Sequence, residues 1–535
     1  MSGLDPQSAP AGLRSILLNA PIVASHEIVD PLAFSLELSG LDRNDQGNAR
    51  RFVARAGGGF LYVSEVAWAQ YDGARWNVEG GEDAARRAIH AVFEDILDEV
   101  AACRARVDDA KAELEEEDDD ERRKKLGTEI VTLRARSEEL FKWKIASGNR
   151  ARYESGLDVA RPYLTIAASD FDPDPFAINV ANGTLRVRMG PDGRPADDGG
   201  DLIEMRPHAR EDRISRVASC AYDPKARCPT FDAFLARVQP DASVRAFLQR
   251  FLGYALTGVT TEQVMLLNIG EGANGKSTLF DLVASVVGGY GATIDFASLT
   301  RDDHKRGGEP TPDLARLPGV RFLRTSEPDE GVRLGEALIK QVTGGEPITV
   351  RHLNKGFFEF KPEFKLIVSG NHRPNIRGQD LGIWRRVLLV PWDVIIPKEE
   401  RDRDLGRKLL EEAPGVLNWL LDGVRLYAER GLEAPDAIRA ATEEYRQDSD
   451  PLGQFIAQCV VKSPGMSVLA REMYDAYARW CRESAVNSLK ETSFARRMSD
   501  RGFSRRKTMT ANVYDNVYLQ NIPTGQGGRS GEDLD

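Results

Sequence analysis

Short apolar runs alternate with helical segments in the middle of the chain. Runs of strand length occupy residues 264–269, 320–325, 365–370 and 387–391. Apolar residues at helical spacing fill much of the sequence between them. This alternation is typical of a parallel sheet with helices on its faces, so we expect an α/β unit from residue 264 to about residue 430.

The amino-terminal part has a different pattern. Residues 60–63 alternate as a strand, residues 68–76 indicate a hairpin around an Asp-Gly turn, and residues 79–141 have helical spacing throughout. An acidic block at 113–121 is followed at once by four basic residues, which is typical of a solvated helix face or helical hairpin tip. Strand-like segments continue from residue 184 to 221, so an α+β region is expected.

Helical spacing returns on both sides of the α/β unit. Residues 231–256 predict one strongly helical segment that leads into the first strand of that unit. Beyond residue 450, residues 470–482 and 493–500 predict helices, and residues 513–519 predict a strand. These elements indicate a further compact unit near the carboxyl terminus.

Composition and charge narrow the class of protein. At 535 residues the chain is long enough for about three or four domains, and its charged fraction of 29% is that of an ordinary globular protein. No apolar run approaches the ~20 residues that cross a bilayer and no secretory leader is visible, so we expect no membrane partner and a cytoplasmic location. The five cysteines are scattered, which disfavours a zinc site or a disulfide framework. A net charge of -11 argues against a chain coated with nucleic acid, although positive charge can be confined to the one surface that needs it.

The strongest chemical signal is the sequence Gly-Glu-Gly-Ala-Asn-Gly-Lys-Ser at residues 270–277. It stands between a predicted strand and a predicted helix, which is the setting of a phosphate-binding P-loop. Glycines let backbone N–H groups wrap the phosphate oxygens, while Lys276 would neutralise charge and Ser277 would hold Mg²⁺. A site for ATP and Mg²⁺ is therefore predicted, formed by Gly270, Glu271, Gly272, Ala273, Asn274, Gly275, Lys276, Ser277 and Thr278.

Polar side chains follow the later strands of the predicted sheet. Glu327 ends one strand, Asn371 ends the next, and the pair Arg385 and Arg386 stands just before the last. Hydrolysis of ATP needs an acid, a polar group near the γ-phosphate and a cation for the transition state, and ligands of such sheets lie at the carboxyl ends of the strands. These four residues are therefore the predicted catalytic set, together with Lys276.

A hairpin is predicted between the acid and the amide. Residues 340–360 indicate a helix end, a Thr-Gly-Gly turn, a strand, a basic tip and a returning strand. The order of P-loop, single-acid strand, Lys-x-x-Thr-Gly-Gly hairpin, strand with terminal Asn, and Arg-Arg resembles that of superfamily 3 helicases. It is most similar to the phage and plasmid replicative helicases that are often fused to primases and are related to the poxvirus primase-helicase. Similarity upstream, for example at Gly253–Gly258, and beyond residue 450 extends over most of the chain.

The resemblance implies a role for each matching residue. Lys276 and Ser277 correspond to the phosphate and Mg²⁺ residues, Glu327 to the Walker B acid that also holds the metal, and Asn371 to the sensor. Position 326 is serine, whereas many superfamily 3 members have a second acid there, so metal binding would depend more heavily on Ser277 and Glu327.

The resemblance also implies an assembly around DNA. Arg386 matches the arginine finger that reaches the ATP of a neighbouring subunit, with Arg385 as the alternative. Arg351, His352 and Lys355 would lie at or near a hairpin tip that tracks single-stranded DNA in a central channel. Relatives of this kind form rings, usually hexamers, and generally move 3′ to 5′ on the strand they hold.

The predicted strand that ends at Glu327, here called the acid strand, is more polar than a buried strand is expected to be. Arg321 and Arg324 are unusual in a buried parallel strand, and Asp329 or Glu330 could share the role of the acid.

The carboxy-terminal unit looks like the winged-helix module of such proteins. Residues 493–500 would be a recognition helix, and the basic residues after it suit phosphate contacts from a helix and a wing; a solvated basic face is the alternative. The predicted DNA-binding residues of this unit are Arg496, Arg497, Arg505, Arg506 and Lys507, with Arg501 beside them.

The sequence thus predicts a multidomain α/β protein. Its units are a partly disordered lead-in (1–40), an α+β amino-terminal domain with a charged helical insertion (41–225), a helical collar (226–260), an AAA+-like P-loop NTPase domain (261–435), a carboxy-terminal winged helix (450–521) and a disordered tail (522–535). The predicted function is an ATP-dependent replicative helicase of a phage, plasmid or mobile element, acting as a homo-oligomer on single-stranded and forked DNA, with a primase or an origin-binding protein as a further partner. A bifunctional primase-helicase and an ATP-gated DNA-binding initiator without processive unwinding are the alternatives.

Overall fold

The computed structural model describes residues 30–189, 200–300, 311–351, 353, 356–509 and 511–521. Most of the predicted lead-in, the predicted tail, and His352 and Lys355 of the hairpin tip lie outside the described residues. In the described part of the chain, none of the helices combines the length and the apolar character that a membrane span requires.

The amino-terminal region joins helices to a small mixed sheet. The first helix, α1, begins after the capping residue Asp30. The acidic block includes residues 117–119, which separate helix α4 from helix α5, so the predicted helical hairpin tip is confirmed. The sheet has the order β3-β2-β1-β4, and Trp68 and Trp76 are buried in it as the predicted small core. The elements are α1 Pro31–Leu38, α2 Asp45–Ala56, β1 Phe60–Val63, β2 Ala67–Tyr71, β3 Trp76–Asn77, α3 Gly81–Glu94, α4 Ile96–Glu116, α5 Asp120–Ser147, α6 Arg150–Leu164 and β4 Thr165–Ile166.

A second, antiparallel sheet and two helices follow. The prediction of one helix over 231–256 is wrong, because Pro240 cannot continue a helix and Asp241 caps a new one. The region 184–221 is also less rich in strands than predicted, since beyond residue 206 its backbone is largely irregular. The elements are β5 Ala177–Val180, β6 Gly183–Val187, β7 Ile203–Arg206, α7 Pro229–Val238 and α8 Ala242–Tyr254.

The central unit is the predicted α/β unit. Its strands form a parallel sheet in the order β14-β8-β13-β10-β9 among the described residues, and β11 and β12 form a separate antiparallel hairpin. The elements are β8 Met265–Ile269, α9 Lys276–Val287, β9 Gly291–Ile294, α10 Pro312–Ala315, β10 Phe322–Thr325, α11 Glu336–Gly344, β11 Ile348–Arg351, β12 Phe357–Phe360, β13 Lys365–Gly370, α12 Leu381–Trp384, β14 Val387–Pro391, α13 Leu405–Glu411, α14 Ala413–Arg430 and α15 Asp436–Asp448.

The carboxy-terminal unit has its own core. Met473, Tyr477 and Trp480 of one helix face are buried there with Phe494 of the next helix, as the apolar spacing predicts. The strands pair antiparallel in the order β15-β17-β16. The elements are α16 Pro451–Cys459, β15 Val460–Leu469, α17 Ala470–Glu483, α18 Glu491–Asp500, β16 Arg505–Lys507 and β17 Asn512–Leu519.

Buried cations join the amino-terminal region to the central sheet. Arg321, at the start of β10, is 1% exposed and donates to the carbonyls of Ala177 (2.8 Å) and Leu256 (2.9 Å). Lys365, at the start of β13, donates to the carbonyls of Thr257 and Glu363. The arginine at the start of the predicted acid strand therefore has a structural cause, because Arg321 donates to two buried backbone carbonyls.

Helices α8 and α14 cross at two glycines. A Cβ on Gly253 would lie 2.2 Å from the carbonyl carbon of Gly423 and 2.3 Å from the nitrogen of Val424. Both distances are far below van der Waals contact, so only glycine fits at this crossing. The contact fixes α8, which leads into β8, against the longest helix of the central unit.

We predict that Gly253→Ala destabilises the protein by about 1–3 kcal/mol, because the added methyl forces the two helices apart. The matched control is Gly127→Ala in α5, where a Cβ would meet nothing within 4 Å. Alanine there should stabilise the helix by roughly 0.5–1 kcal/mol. Thermal unfolding of both variants measures the difference, and equal unfolding temperatures would contradict the tight crossing.

A second prediction concerns the pH dependence of stability. Burial raises the pKa of Glu363 to about 7, and the charge of Arg321, whose Nε lies 3.7 Å from the carboxylate, opposes that shift. As pH rises from 5 to 8, the unfolded chain loses this proton before the folded chain does, so the raised pKa costs the folded state stability over that range. Glu363→Gln removes the titration, and its stability relative to wild type should therefore increase from pH 5 to pH 8. A pH-independent difference in denaturant unfolding would contradict this origin.

Candidate functional site

A tight loop connects β8 to α9 at residues 270–275. Ala273 (φ 62°) and Gly275 (φ 82°) have left-handed backbone, and a Cβ on Gly270 would lie 2.2 Å from the carbonyl oxygen of Trp392. Asn274 donates to that same oxygen at 3.2 Å and to the carbonyl of Glu271. The loop is thus held in a narrow turn at the amino terminus of α9, where the first N–H groups of the helix have no partner within the helix.

Lys276 is held inside this loop. Its side chain donates to the carbonyls of Gly270 and Glu271, and the residue is only 6% exposed. Burial lowers the pKa of Lys276, while the negative charge of Glu327 acts in the opposite direction. A buried ammonium whose partners are neutral carbonyls suits an anionic ligand, because phosphate oxygens would form charge-assisted bonds with it.

The acid and the amide predicted from the sequence lie together. The backbone N–H of Asn371 donates to Oε1 of Glu327 at 2.6 Å, and both side chains are exposed. The two residues follow β10 and β13, which are neighbours in the sheet, and β13 is also the neighbour of β8. Exposed Ser277 begins α9 on the same side. Mg²⁺ usually takes only one or two protein ligands beside phosphate and water, so Ser277 and Glu327 fit that ion.

The serine in place of a second acid has partners of its own. Ser326 accepts from the backbone N–H of Phe296 at 2.8 Å and donates to Asp295 at 3.2 Å. It therefore ties β10 to the segment after β9. Asp329 and Glu330, considered above as substitutes for the acid, are exposed.

The two arginines of the predicted finger differ in exposure. Arg386 is 7% exposed and donates to Thr343 (3.1 Å) and to the carbonyl of Gly382 (2.5 Å), so its own subunit already holds it. Arg385 is exposed and donates to Gln263 at 2.7 Å. Arg385 is therefore the more accessible of the pair, and the assignment of either arginine as the residue that reaches another subunit stays a prediction.

The described part of the hairpin of β11 and β12 includes both strands up to the pair of residues next to the tip. Arg351, half-buried, stacks its guanidinium 4.9 Å from the ring centroid of Phe357 across the hairpin. Leu353 near the tip is 68% exposed. His352 and Lys355, predicted to contact DNA, lie outside the described residues, so of the predicted hairpin set the structure positions Arg351.

The basic residues of the carboxy-terminal unit fall into two groups. Arg496, Arg505 and Lys507 are exposed on α18 and β16, whereas Arg506 is paired with Asp515 at 2.6 Å. Arg501 is paired with Asp450 at 2.7 Å and is part of the fold of the unit. Arg497 is half-buried and donates to the carbonyl of Arg377 at 3.4 Å. The positive surface is therefore smaller than the sequence predicts, and it lies on one helix and one strand.

Sequence reasoning overlooked Gln263. Its amide oxygen accepts from Arg385 and from Arg386, at 2.7 Å and 3.4 Å. A single polar residue before a buried strand is not part of any repeating pattern. The sequence therefore does not indicate that Gln263 accepts hydrogen bonds from both arginines.

Comparisons with known proteins find D5-like sequence on both flanks of the central unit. Residues 49–240 match the model of D5 N-terminal-like domains, and residues 447–523 match the model of poxvirus D5 protein-like domains. The predicted resemblance to relatives of the poxvirus primase-helicase is confirmed by these two matches.

Relatives occur in large DNA viruses. The chain is 30% identical over 270 residues to "Putative helicase L207/L206" of Acanthamoeba polyphaga mimivirus, which is 46% of this chain and 28% of that protein. It is 28% identical over 271 residues to "Putative helicase 022R" of Frog virus 3, 46% and 27% of the two chains. It is 25% identical over 334 residues to "Putative primase C962R" of African swine fever virus, 58% and 33% of the two chains. The chain thus spans about a third or less of each of these relatives.

Among solved structures, the apo C-terminal region of NrS-1 is similar with a TM-score of 0.39 and 14% sequence identity, over 62% of this chain and 84% of that one.

Proposed function

We propose that this chain is an ATP-dependent replicative DNA helicase that acts as a ring of identical subunits. The observation that carries the proposal is the 2.6 Å contact between Glu327 and the backbone of Asn371. The two residues follow β10 and β13, and β13 is a neighbour of β8, the strand that leads into the loop of Lys276. The printed names of the viral relatives support the same class of activity.

The geometry supports a division of labour in ATP hydrolysis. Bound Mg²⁺ would supply positive charge against the charge that develops on the phosphates. Lys276 and the N–H groups of the loop would bind the phosphates, and Ser277 with Glu327 would hold the ion. Glu327 would also accept the proton of the attacking water or orient it, and Asn371 would sense the γ-phosphate.

The exposure of Arg385 supports an intersubunit site. A phosphate site built from one subunit's loop lacks the cation that stabilises the equatorial oxygens in the transition state. Arg385 stands before β14, at the opposite end of the sheet from the loop, so it faces away from its own phosphate site. An arginine that serves the site of the next subunit implies a closed ring, which we propose to be a hexamer.

DNA contacts would come from two places. The β11–β12 hairpin, with Arg351 next to its tip, would follow single-stranded DNA through the ring, in the 3′ to 5′ direction of superfamily 3 relatives. The order helix, strand, helix, helix, strand, strand from α16 to β17 supports a winged helix, with Arg496 on the recognition helix and Arg505 and Lys507 on the wing. For the other domains of the chain, we propose the same boundaries that the sequence predicts.

We predict that Lys276→Ala abolishes both ATP turnover and strand displacement on a forked duplex, because the phosphates lose their buried cation. The matched control is Lys398→Ala, which removes an exposed lysine elsewhere in the central unit. It should leave both activities within about twofold of wild type. Intact turnover in Lys276→Ala would refute the P-loop assignment. Turnover without strand displacement in the unmodified protein would favour an ATP-gated initiator.

Arg385→Ala and Arg386→Ala should separate the two arginines. We expect Arg385→Ala to bind nucleotide normally and to lose at least ~100-fold in turnover, as removal of an arginine finger does. Mixing it with Lys276→Ala should restore part of the activity, since each partner supplies what the other lacks. Arg386→Ala should instead lower the unfolding temperature, because Thr343 loses a buried partner. Failure of the mixture to recover turnover would contradict action between subunits.

A second candidate function is primer synthesis, which the name of the African swine fever virus relative supports. Within the described residues, no group of three or more His, Cys, Asp or Glu residues is arranged to hold a metal ion. The alternating Asp170, Asp172 and Asp174 occupy the end of a short 3-10 helix and the irregular segment after it, and Asp172 accepts from the backbone N–H and the hydroxyl of Ser215. Incubation of the chain with single-stranded DNA and nucleoside triphosphates tests this candidate by the appearance of primers.

A further inference from the structure

Gln263 has a strained backbone at a junction of the central unit. It lies two residues before β8 with φ of 54°, the left-handed region that residues other than glycine rarely adopt. Its backbone N–H donates to the carbonyl of Thr260 at 3.1 Å, which closes a tight turn. Strain of this kind persists where the surrounding structure requires a particular side chain in a particular place.

The side chain of Gln263 holds both arginines of the predicted pair. Its Oε1 accepts from Arg385 Nη2 at 2.7 Å and from Arg386 Nη2 at 3.4 Å. An amide oxygen has two lone pairs, so it can serve two donors at once without adding charge. The exposed arginine and the buried one are thereby joined through one atom.

Arg386 extends this connection to helix α11. Its Nε donates to Thr343 Oγ1 at 3.1 Å, and the Thr343 hydroxyl donates its own proton to the carbonyl of Ile339 at 2.6 Å. Thr343 is 3% exposed, so the bond lies away from water. Burial lowers the pKa of Arg386, with the charge of Arg385 acting in the same direction, while the negative charges of Asp380 and Glu346 oppose the shift.

The glycine turn after α11 packs on the same place. A Cβ on Gly345 (φ 71°) would lie 2.6 Å from Thr260 Oγ1, and one on Gly344 would lie 3.9 Å from Arg386 Nη2. This turn leads directly into β11, the first strand of the hairpin. Any movement of the hairpin base relative to the arginines must therefore break or remake buried contacts of the turn.

We infer that Gln263 is a positioning residue that orients Arg385 towards the neighbouring subunit and, through Arg386 and Thr343, joins it to the base of the β11–β12 hairpin. This inference rests on the proposed function, in which Arg385 serves the ATP of the next subunit and the hairpin contacts DNA. The side chains of Gln263, Arg385, Arg386 and Thr343 form one network, here called the Gln263 network. Through this network, the position of the hairpin depends on the nucleotide state of the ATP site of the neighbouring subunit. That ATP site depends in turn on the position of the hairpin.

The first test distinguishes the effect of the Gln263 side chain from the effect of its strained backbone. Gln263→Gly removes the amide oxygen but relieves the left-handed backbone, so its unfolding temperature should not fall. We expect its kcat for ATP hydrolysis to fall at least about tenfold with KM within about twofold of wild type, because Arg385 loses its orientation. Gln263→Glu keeps an acceptor at this place and should retain most of the turnover.

The second test examines the connection to the hairpin. Thr343→Val has nearly the same shape without the hydroxyl, and Thr343→Ser keeps the hydroxyl. We expect base pairs unwound per ATP hydrolysed to fall at least about threefold in Thr343→Val and to stay near wild type in Thr343→Ser. A purely structural role would lower the unfolding temperature without changing this ratio.

The outcomes distinguish the inference from the function on which it rests. Wild-type turnover in Gln263→Gly, together with the loss expected for Arg385→Ala, would overturn the positioning role and leave the trans arginine intact. Wild-type turnover in Arg385→Ala would overturn both. An equal ratio of unwinding to hydrolysis in Thr343→Val and Thr343→Ser would overturn the connection to the hairpin.

Discussion

The candidate site depends on the parallel pairing of the central strands. Parallel strands end at the same edge of a sheet. Side chains that are far apart in the sequence therefore meet at this edge. Lys276, Glu327 and Asn371 span 96 positions of the chain and come together because β8, β13 and β10 are successive neighbours. If one central strand were removed, the three groups would no longer lie together. The apolar residues that bury the strands are therefore required for the site as well as for the fold.

Buried cations bonded to backbone carbonyls connect the other regions to that sheet. Arg321 and Lys365 begin the two strands that carry the acid and the amide, and they reach carbonyls of the segments before β8. Arg386 stands just before β14 and donates to the carbonyl of Gly382 and to the hydroxyl of Thr343. Burial of a cation is costly unless every donor finds an acceptor, so these residues favour one relative arrangement of the segments over others. The amino ends of the strands are thus fixed by polar contacts, while the carboxyl ends stay accessible for chemistry.

The sequence predicts the elements of the central unit well, because short apolar runs and glycine turns are local signals. The break at Pro240 was predictable from the residue itself, yet strong helical spacing on both sides concealed it. The difference between Arg385 and Arg386 could not be predicted, since two adjacent arginines have the same local pattern. Their difference arises from partners such as Thr343 and Gln263, which are distant in sequence or have no distinctive spacing, and only the fold brings them together. The family resemblance is confirmed by the comparisons, whereas the roles of individual residues stay predictions.

The distribution of charge bears on how an acidic chain could attract DNA in the proposed function. The net charge of -11 includes the acidic block of residues 113–121, which the fold places at the tip between α4 and α5. The exposed cations of the carboxy-terminal unit lie on α18 and β16, on the surface of a unit with a core of its own. Repulsion between charges is screened within roughly 8–10 Å at physiological salt, so a basic surface can attract a polyanion although the net charge of the chain is negative. The local grouping of cations on one helix and one strand, rather than the total charge, would therefore decide where a polyanion binds.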